Sequence, residues 1–328
     1  MVAQLSADTL EVVLCHKSIE ARSAAVSILI TSPSTTRPYT AEALTLLRSY
    51  LPSFYADTDP KFRYDVLGHS KSMIRRIQGA LESLHRDYER AMKKLAKETS
   101  TKKVELSSPS GVVENSQIVK QASPEEVIVR ELRDTMDRHR QFAWWYMDFL
   151  KDELVPTASY QRHITALKAM SFVLKSTLPR GMKELQCQGS SSGSFTDYTW
   201  LRCVLDCILD PFDDVREAAA SLVMLLANDK LDTTETRIEG LNRPIVEELR
   251  DFCKRAEELA RKTARADHSD GVARSYEILW RWAPDEKEQL CIVENVLSDL
   301  ERKLAAAESD LGSAVLQAPV HGSFASLR

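Results

Sequence analysis

The 328-residue chain carries 44 Lys and Arg against 48 Asp and Glu, is 43% apolar, and has only 10 glycines. This composition excludes a polycation and an intrinsically disordered chain, and the scarcity of glycine leans toward helix. No apolar run approaches the roughly 18 residues that cross a bilayer, so no membrane role is expected. The start MVAQLSADTLEVVL lacks the basic-then-apolar pattern of a secretory leader. Six cysteines, Cys15, Cys187, Cys203, Cys207, Cys253 and Cys291, are scattered without disulfide-type spacing. A reducing, cytoplasmic setting is the economical expectation.

Taken in chain order, the apolar spacing predicts helices over about 6–15, 18–31, 40–56, 60–98, 124–154, 159–178, 197–209, 211–228, 243–265, 269–282 and 285–309. Asp59-Pro60, Ser123-Pro124 and Asp210-Pro211 each put a capping side chain ahead of a proline at a helix start. Ser123 with Glu126 fits a capping box. No strand alternation is found. Residues 100–122 are polar and serine-rich and read as a flexible linker or loop, 186–196 as a shorter loop, and 310–328 as a disordered tail. The expected organisation is N-terminal helical repeats over 1–99 ending in a long basic helix, a linker over 100–122, C-terminal helical repeats over 123–309, and the tail.

The stretch FLKDELVPTASYQRHITALKAM, residues 149–170, stops at Pro156 and restarts within a few residues. Proline disfavours helical geometry in the residue before it, and Thr157 or Ser159 can cap the restart. This reads as a corner between stacked helices, with Ile164, Leu167, Met170, Phe172 and Leu174 expected on the buried side. SIEARSAAVSIL from Ser18 and PFDDVREAAASLVMLL from Pro211 align on Arg22 and Arg216, each with an acidic residue two positions earlier and small residues leading into an aliphatic stripe. Arg162 aligns in a looser third copy. Small residues let helices approach closely, and an arginine near the helix start can bond a neighbouring acid or carbonyl. The expected fold is an all-α, irregular HEAT/armadillo-like α-solenoid of stacked helix pairs.

Residues 61–103 hold 12 Lys and Arg against 5 Asp and Glu, a surplus of seven in a chain whose net charge is −4. At about 100° per residue, Lys71, Arg75, Arg76, Arg86, Arg90, Lys93, Lys94 and Lys97 fall in one arc of about 140°. Met73, Ile74, Ile77, Leu81, Leu84, Tyr88, Met92 and Leu95 fall in another. Either the basic arc contacts a phosphate backbone, releasing counterions, or it is a solvated face. The arc has little aromatic interleaving, which favours backbone over base recognition.

Cys203 and Cys207 lie four apart but lack further ligands at zinc spacing, so buried thiols and no metal are expected. His69, His85, His139 and His163 show no nucleophile–base pattern. At least one tryptophan of each pair, Trp144 with Trp145 and Trp280 with Trp282, is expected to pack inside, and an outward partner is a candidate protein contact. No dinucleotide, P-loop, serine-hydrolase or zinc-protease motif occurs. No catalytic residue, cofactor or small-molecule substrate is therefore expected.

The stretches SILITSPSTTRPYTAEALTLLRSYLPSFYADTDPKFRYDVLGHSKSMIRRIQGAL (27–81) and FLKDELVPTASYQRHITALKAMSFVLKS (149–176) closely resemble the thyroid-adenoma-associated (THADA) family in its fungal-type form. DPFDDVREAAASLV (210–223) and ARADHSDGVARSYEIL (264–279) resemble it in the same order. The resemblance implies a central segment of a much longer, non-catalytic helical-repeat subunit. It further implies a partner, a Rossmann-type ribose 2′-O-methyltransferase, and a shared tRNA substrate methylated in the anticodon loop. The reading that competes with it is a protein-only scaffold or transport adaptor, whose grooves bind peptides and helices.

Overall fold

The computed structural model describes residues 7–32, 34–105, 123–176, 197–228 and 244–317. Among these the chain forms α-helices and one 3-10 turn, with no β-strand. It divides into two compact units, Met1–Asn242 and Arg243–Arg328. The first holds α1 (Ala7–Leu14), α2 (Ile19–Ile30), α3 (Ala41–Tyr55), α4 (Pro60–Glu105), α5 (Pro124–Asp152), α6 (Tyr160–Lys175), α7 (Tyr198–Asp206), the turn Cys207–Leu209 and α8 (Asp213–Asn228). The second holds α9 (Ile245–Thr263), α10 (Ala266–Trp282) and α11 (Glu286–Gln317).

Within the first unit the helices stack in two layers. Helices α1, α3 and α5 neighbour one another in turn, as do α2, α4, α6 and α8, while α1 with α2, α3 with α4, α5 with α6 and α7 with α8 make the pairs. This is the all-α solenoid expected from the sequence. Local chemistry sets the helix starts. Ser18, Thr40, Ser123 and Asp197 each accept a bond from a first-turn backbone N–H, and Ser123 with Glu126 completes the capping box.

One device locks the turn between paired helices three times. Arg22 Nη1 donates to the His16 carbonyl at 3.0 Å, Arg63 Nη1 to the Asp57 carbonyl at 2.5 Å, and Arg216 Nη1 to the Asp210 carbonyl at 2.9 Å. In each case the acceptor lies six residues before the arginine. The same turn residue also accepts, through its side chain, the N–H two residues on: His16 from Ser18, Asp57 from Asp59, Asp210 from Phe212. The aspartates then reach the preceding even-numbered helix. Asp57 Oδ2 pairs with Arg22 at 2.8 Å, and Asp210 Oδ2 accepts from His163 Nδ1 at 2.9 Å. The looser copy departs as its sequence does, since Arg162 grips the buried Glu153 carboxylate at 2.6 and 2.7 Å.

The corner at 149–170 is present, but its buried side differs from expectation. Leu167 and Met170 are buried with Ala166, Ala169 and Val173, whereas Ile164, Phe172 and Leu174 are only half-buried. Alanines fill the side squeezed between α4 and α8, and the bulkier residues ride the rim. Ser159 holds the cap position of α6 without a side-chain bond. Helix α4 also outruns its expected end near residue 98, reaching Glu105. The rest of 100–122, and all of 186–196, lie outside the described residues. Helix continues to Gln317, through part of the expected tail, and residues 318–328 lie outside the description.

In the second unit α9 and α10 pair closely around Leu249, Phe252, Cys253, Ala256, Ile278, Leu279 and Trp282. Gly271 and Ser275 on α10 are buried in it. The turn between the two helices places Ala264 in left-handed backbone at φ 52°.

Candidate nucleic-acid interface

Helix α4 positions the basic arc. Its apolar side, Phe62, Val66, Met73, Ile74, Ile77, Ala80, Leu81 and Leu84, is buried against its neighbours. That packing turns the opposite side to solvent for most of a helix roughly 70 Å long at 1.5 Å per residue. Tyr88 and Leu95 are half-buried and Met92 is exposed, so the core side thins toward the helix's end.

Seven of the eight expected cations are exposed: Lys71, Arg75, Arg86, Arg90, Lys93, Lys94 and Lys97. Lys71 Nζ sits 5.5 Å from the centre of the Phe172 ring on α6. Arg90 reaches Asp87 one turn back at 3.1 Å, an exposed pair of small strength that phosphate can displace. Arg75, Arg86, Lys93 and Lys94 have no carboxylate within ion-pair distance among the described residues. Glu89 bonds His85 at 3.4 Å on the same stretch.

Arg76 is the exception and corrects the sequence reading. Its guanidinium turns inward, donating to the carbonyls of Arg37, Ile30 and Pro38 at 3.0, 3.0 and 3.3 Å, and lies 3.7 Å over the Tyr39 ring. Burial lowers its pKa, and Tyr39 works against that shift. The cause is at the edge of the arc, where the 31–38 loop crosses α4 at Gly79. A Cβ there would stand 2.7 Å from the Thr35 carbonyl oxygen. Arg76 therefore anchors that loop, with its guanidinium turned toward three carbonyls instead of standing out with the other seven cations.

Two cations escaped the sequence reading. Lys168 and Lys175 are exposed on α6, which has no Asp or Glu from Tyr160 to Lys175. Phe172, which carries Lys71, lies four residues after Lys168 and three before Lys175, so all three share one helix side. The contact between Phe172 and Lys71 thus joins the N-terminal half of the α4 arc to a second basic helix. The signal was available as an acid-free amphipathic segment, but only the stacking of α6 on α4 makes it one surface.

Several buried polar groups are held by hydrogen bonds within the fold. His139 Nε2 accepts the Tyr39 N–H at 2.9 Å while Nδ1 donates to the Thr135 carbonyl at 2.8 Å. Both ring nitrogens of His163 face oxygen acceptors, on Asp210 and on the Val155 carbonyl. The Tyr55, Ser70 and Tyr146 hydroxyls form a buried chain at 3.0 and 2.7 Å. Burial pushes the Cys253 thiol up to about 11 and the Cys207 thiol well up, which makes both poor nucleophiles. No group of three or more His, Cys, Asp or Glu among the described residues is placed to hold a metal. A groove of about 400 Å³ between α2 and α4 is lined by Glu20, Ser23, Lys61, Asp65 and His69 among others. Its mixed charge, with Ser23 bonded to Asp65 at 3.0 Å, sets no clear ligand. Trp144 and Trp145 are both half-buried, short of the expectation that at least one packs inside, and Arg48 lies 5.4 Å over the Trp145 ring. Of the other pair, Trp282 is buried and Trp280 half-buried.

The first unit is a helical-repeat array with turns locked by arginine and with a cationic side spread over two of its helices. No described helix is long and apolar enough to cross a membrane. The profile of the family described as Trm732, TPR repeats, matches residues 2–217, from the N-terminus into α8. The chain belongs to the Trm732 TPR-repeat family, a family of non-catalytic helical-repeat subunits of tRNA modification. Its repeats carry the TPR description where the sequence suggested HEAT-like pairs; both are helix pairs stacked into a solenoid.

Proposed function

We propose that this chain is a positioning subunit that holds tRNA for a partner methyltransferase of Rossmann type. The partner supplies the methyl-donor site and the chemistry of 2′-O-ribose methylation in the anticodon loop, and the complex works in the cytoplasm. This chain supplies phosphate contacts from Lys71, Arg75, Arg86, Arg90, Lys93, Lys94 and Lys97 on α4, joined by Lys168 and Lys175 on α6. The observation that carries the reading is the exposed basic side of α4 in a member of a tRNA-modification family. Long side chains on a rigid helix suit a backbone of fixed charges, because each contact releases condensed counterions.

The test is a gel-shift titration with tRNA across a salt series. Reversal of Arg75, Arg86 and Lys93 to Glu is expected to weaken binding and to flatten the log–log salt slope by about two to three. Unchanged affinity in that variant removes α4 from the account. No binding by the unaltered chain leaves the protein-only scaffold as the better reading.

A further inference from the structure

Helix α11 has two apolar edges. One packs toward α10: Ile292 is buried with Val296 half-buried beside it, Gln289 Nε2 donates to the Trp280 carbonyl at 3.4 Å, and Glu288 pairs with Arg250 of α9. The other edge is Leu290, Val293, Leu297, Leu300 and Leu304, each between 41% and 63% exposed. Single exposed aliphatic residues are ordinary, but five on one line are not. Their steps of three, four, three and four residues average 3.5, the spacing of a seam made to mesh with another helix. The seam runs for about 21 Å at 1.5 Å per residue.

The flanks say what kind of helix fits. With Leu290 at the first core position of the heptad, the residue after each second core position is Glu294, Glu301 and Glu308, while the other flank is Gln289, Val296 and Lys303. A second copy laid antiparallel would set glutamate against glutamate. Laid parallel, it would gain one attractive pair of three, Lys303 with Glu308. Leu at the first core position with Val, Leu or Ala at the second is also the reverse of what favours a parallel dimer. Anionic lipid headgroups would meet the same three glutamates. A helix with basic flanks meets none of these objections.

We propose that the α11 seam docks an amphipathic α-helix of another protein, with aliphatic residues at alternating three and four spacing and Lys or Arg on its flanks. The seam lies in the second unit and uses no residue of the tRNA contact, so it stands whether or not the chain binds RNA. Specificity comes from the glutamates and affinity from the leucines.

The experiment uses the full chain and a labelled synthetic peptide of four heptads with Leu in both core positions and Lys on both flanks, read by fluorescence anisotropy. A matched peptide with Glu on the flanks is the control. Saturable binding of the Lys-flanked peptide, roughly tenfold or more tighter than the control, is expected. Leu297→Asp with Leu300→Asp abolishes it while the circular dichroism stays unchanged, since both leucines are exposed. Glu294→Lys with Glu301→Lys inverts the preference between peptides. No binding, equal affinity for the two flanks, or indifference to the leucine substitutions overturns the proposal. So does light scattering that finds a dimer dissolved by the same leucine substitutions, which would give the seam to a second copy.

Discussion

Asp210 and Asp57 do the same work in different surroundings, and the difference sets what each is worth. Asp210 and His163 are both almost fully buried, while Asp57 and Arg22 are each 18% exposed. Removing one member of a buried pair strands the other, whereas water can partly replace a pair nearer the surface. Asp210→Ala is expected to destabilise by about 3 kcal/mol and Asp57→Ala by about 1 kcal/mol, read as shifts in the urea midpoint. His139 gives a pH dependence. Burial is the largest cause holding its ring below the ordinary 6.5, the Thr135 carbonyl opposes it, and Arg138 and Arg76 add to the lowering. The unfolded chain therefore binds a proton that the folded chain refuses. Stability is full above 6.5 and falls as pH drops toward the lower folded value. His69 shifts in the same direction through burial, opposed by Asp65. His139→Gln should partly flatten the fall in urea midpoint between about pH 7.5 and 5.5; an unaltered slope would show that this ring does not titrate as its burial requires.

Along α4, two glycines that look alike in sequence should respond oppositely. A Cβ at Gly68 meets nothing within 4 Å, so Gly68→Ala should stabilise by about 0.5–1 kcal/mol through helix propensity. The same change at Gly79 drives the methyl into the Thr35 carbonyl and dislodges the loop that Arg76 holds. It should destabilise by about 1–3 kcal/mol despite the better propensity, and thermal melts of both variants check the sign. Arg76→Ala belongs with it, lowering the melting temperature while leaving the salt slope of tRNA binding where it was. Helix periodicity sorted the α4 faces as far as Leu84, with Arg76 excepted, because burial and charge share one 100° step. It could not see Arg76 turn inward, because the carbonyls it bonds come from a loop some forty residues earlier.

At the level of the whole molecule, net charge misleads. The chain is at −4, yet the segment from 61 to 103 carries a surplus of seven cations. Exposed acids elsewhere need not weaken a contact beyond the Debye length, about 8 Å at physiological salt. Affinity for tRNA should therefore fall steeply as salt rises, as local phosphate contacts require, and not track the net charge of the chain. The seam on α11 carries the opposite sign on its flanks, so the two surfaces differ in chemistry and suit different ligands.

The sequence alone determined that this chain is helical, where most helices start, and which side of α4 is apolar. These follow from capping side chains, prolines and a period of 3.6, all of which act within a few residues. It also held the turn arginines at Arg22 and Arg216 and the steps of three and four along α11, which the eye can read once the helices are known. Tertiary structure decided which cations remain outside. It drew Arg76 into the 31–38 loop, set Phe172 of α6 beneath Lys71, and so brought Lys168 and Lys175 to the same surface. Those outcomes depend on contacts between residues roughly 40 to 100 positions apart, and only the stacking of helix on helix fixes them.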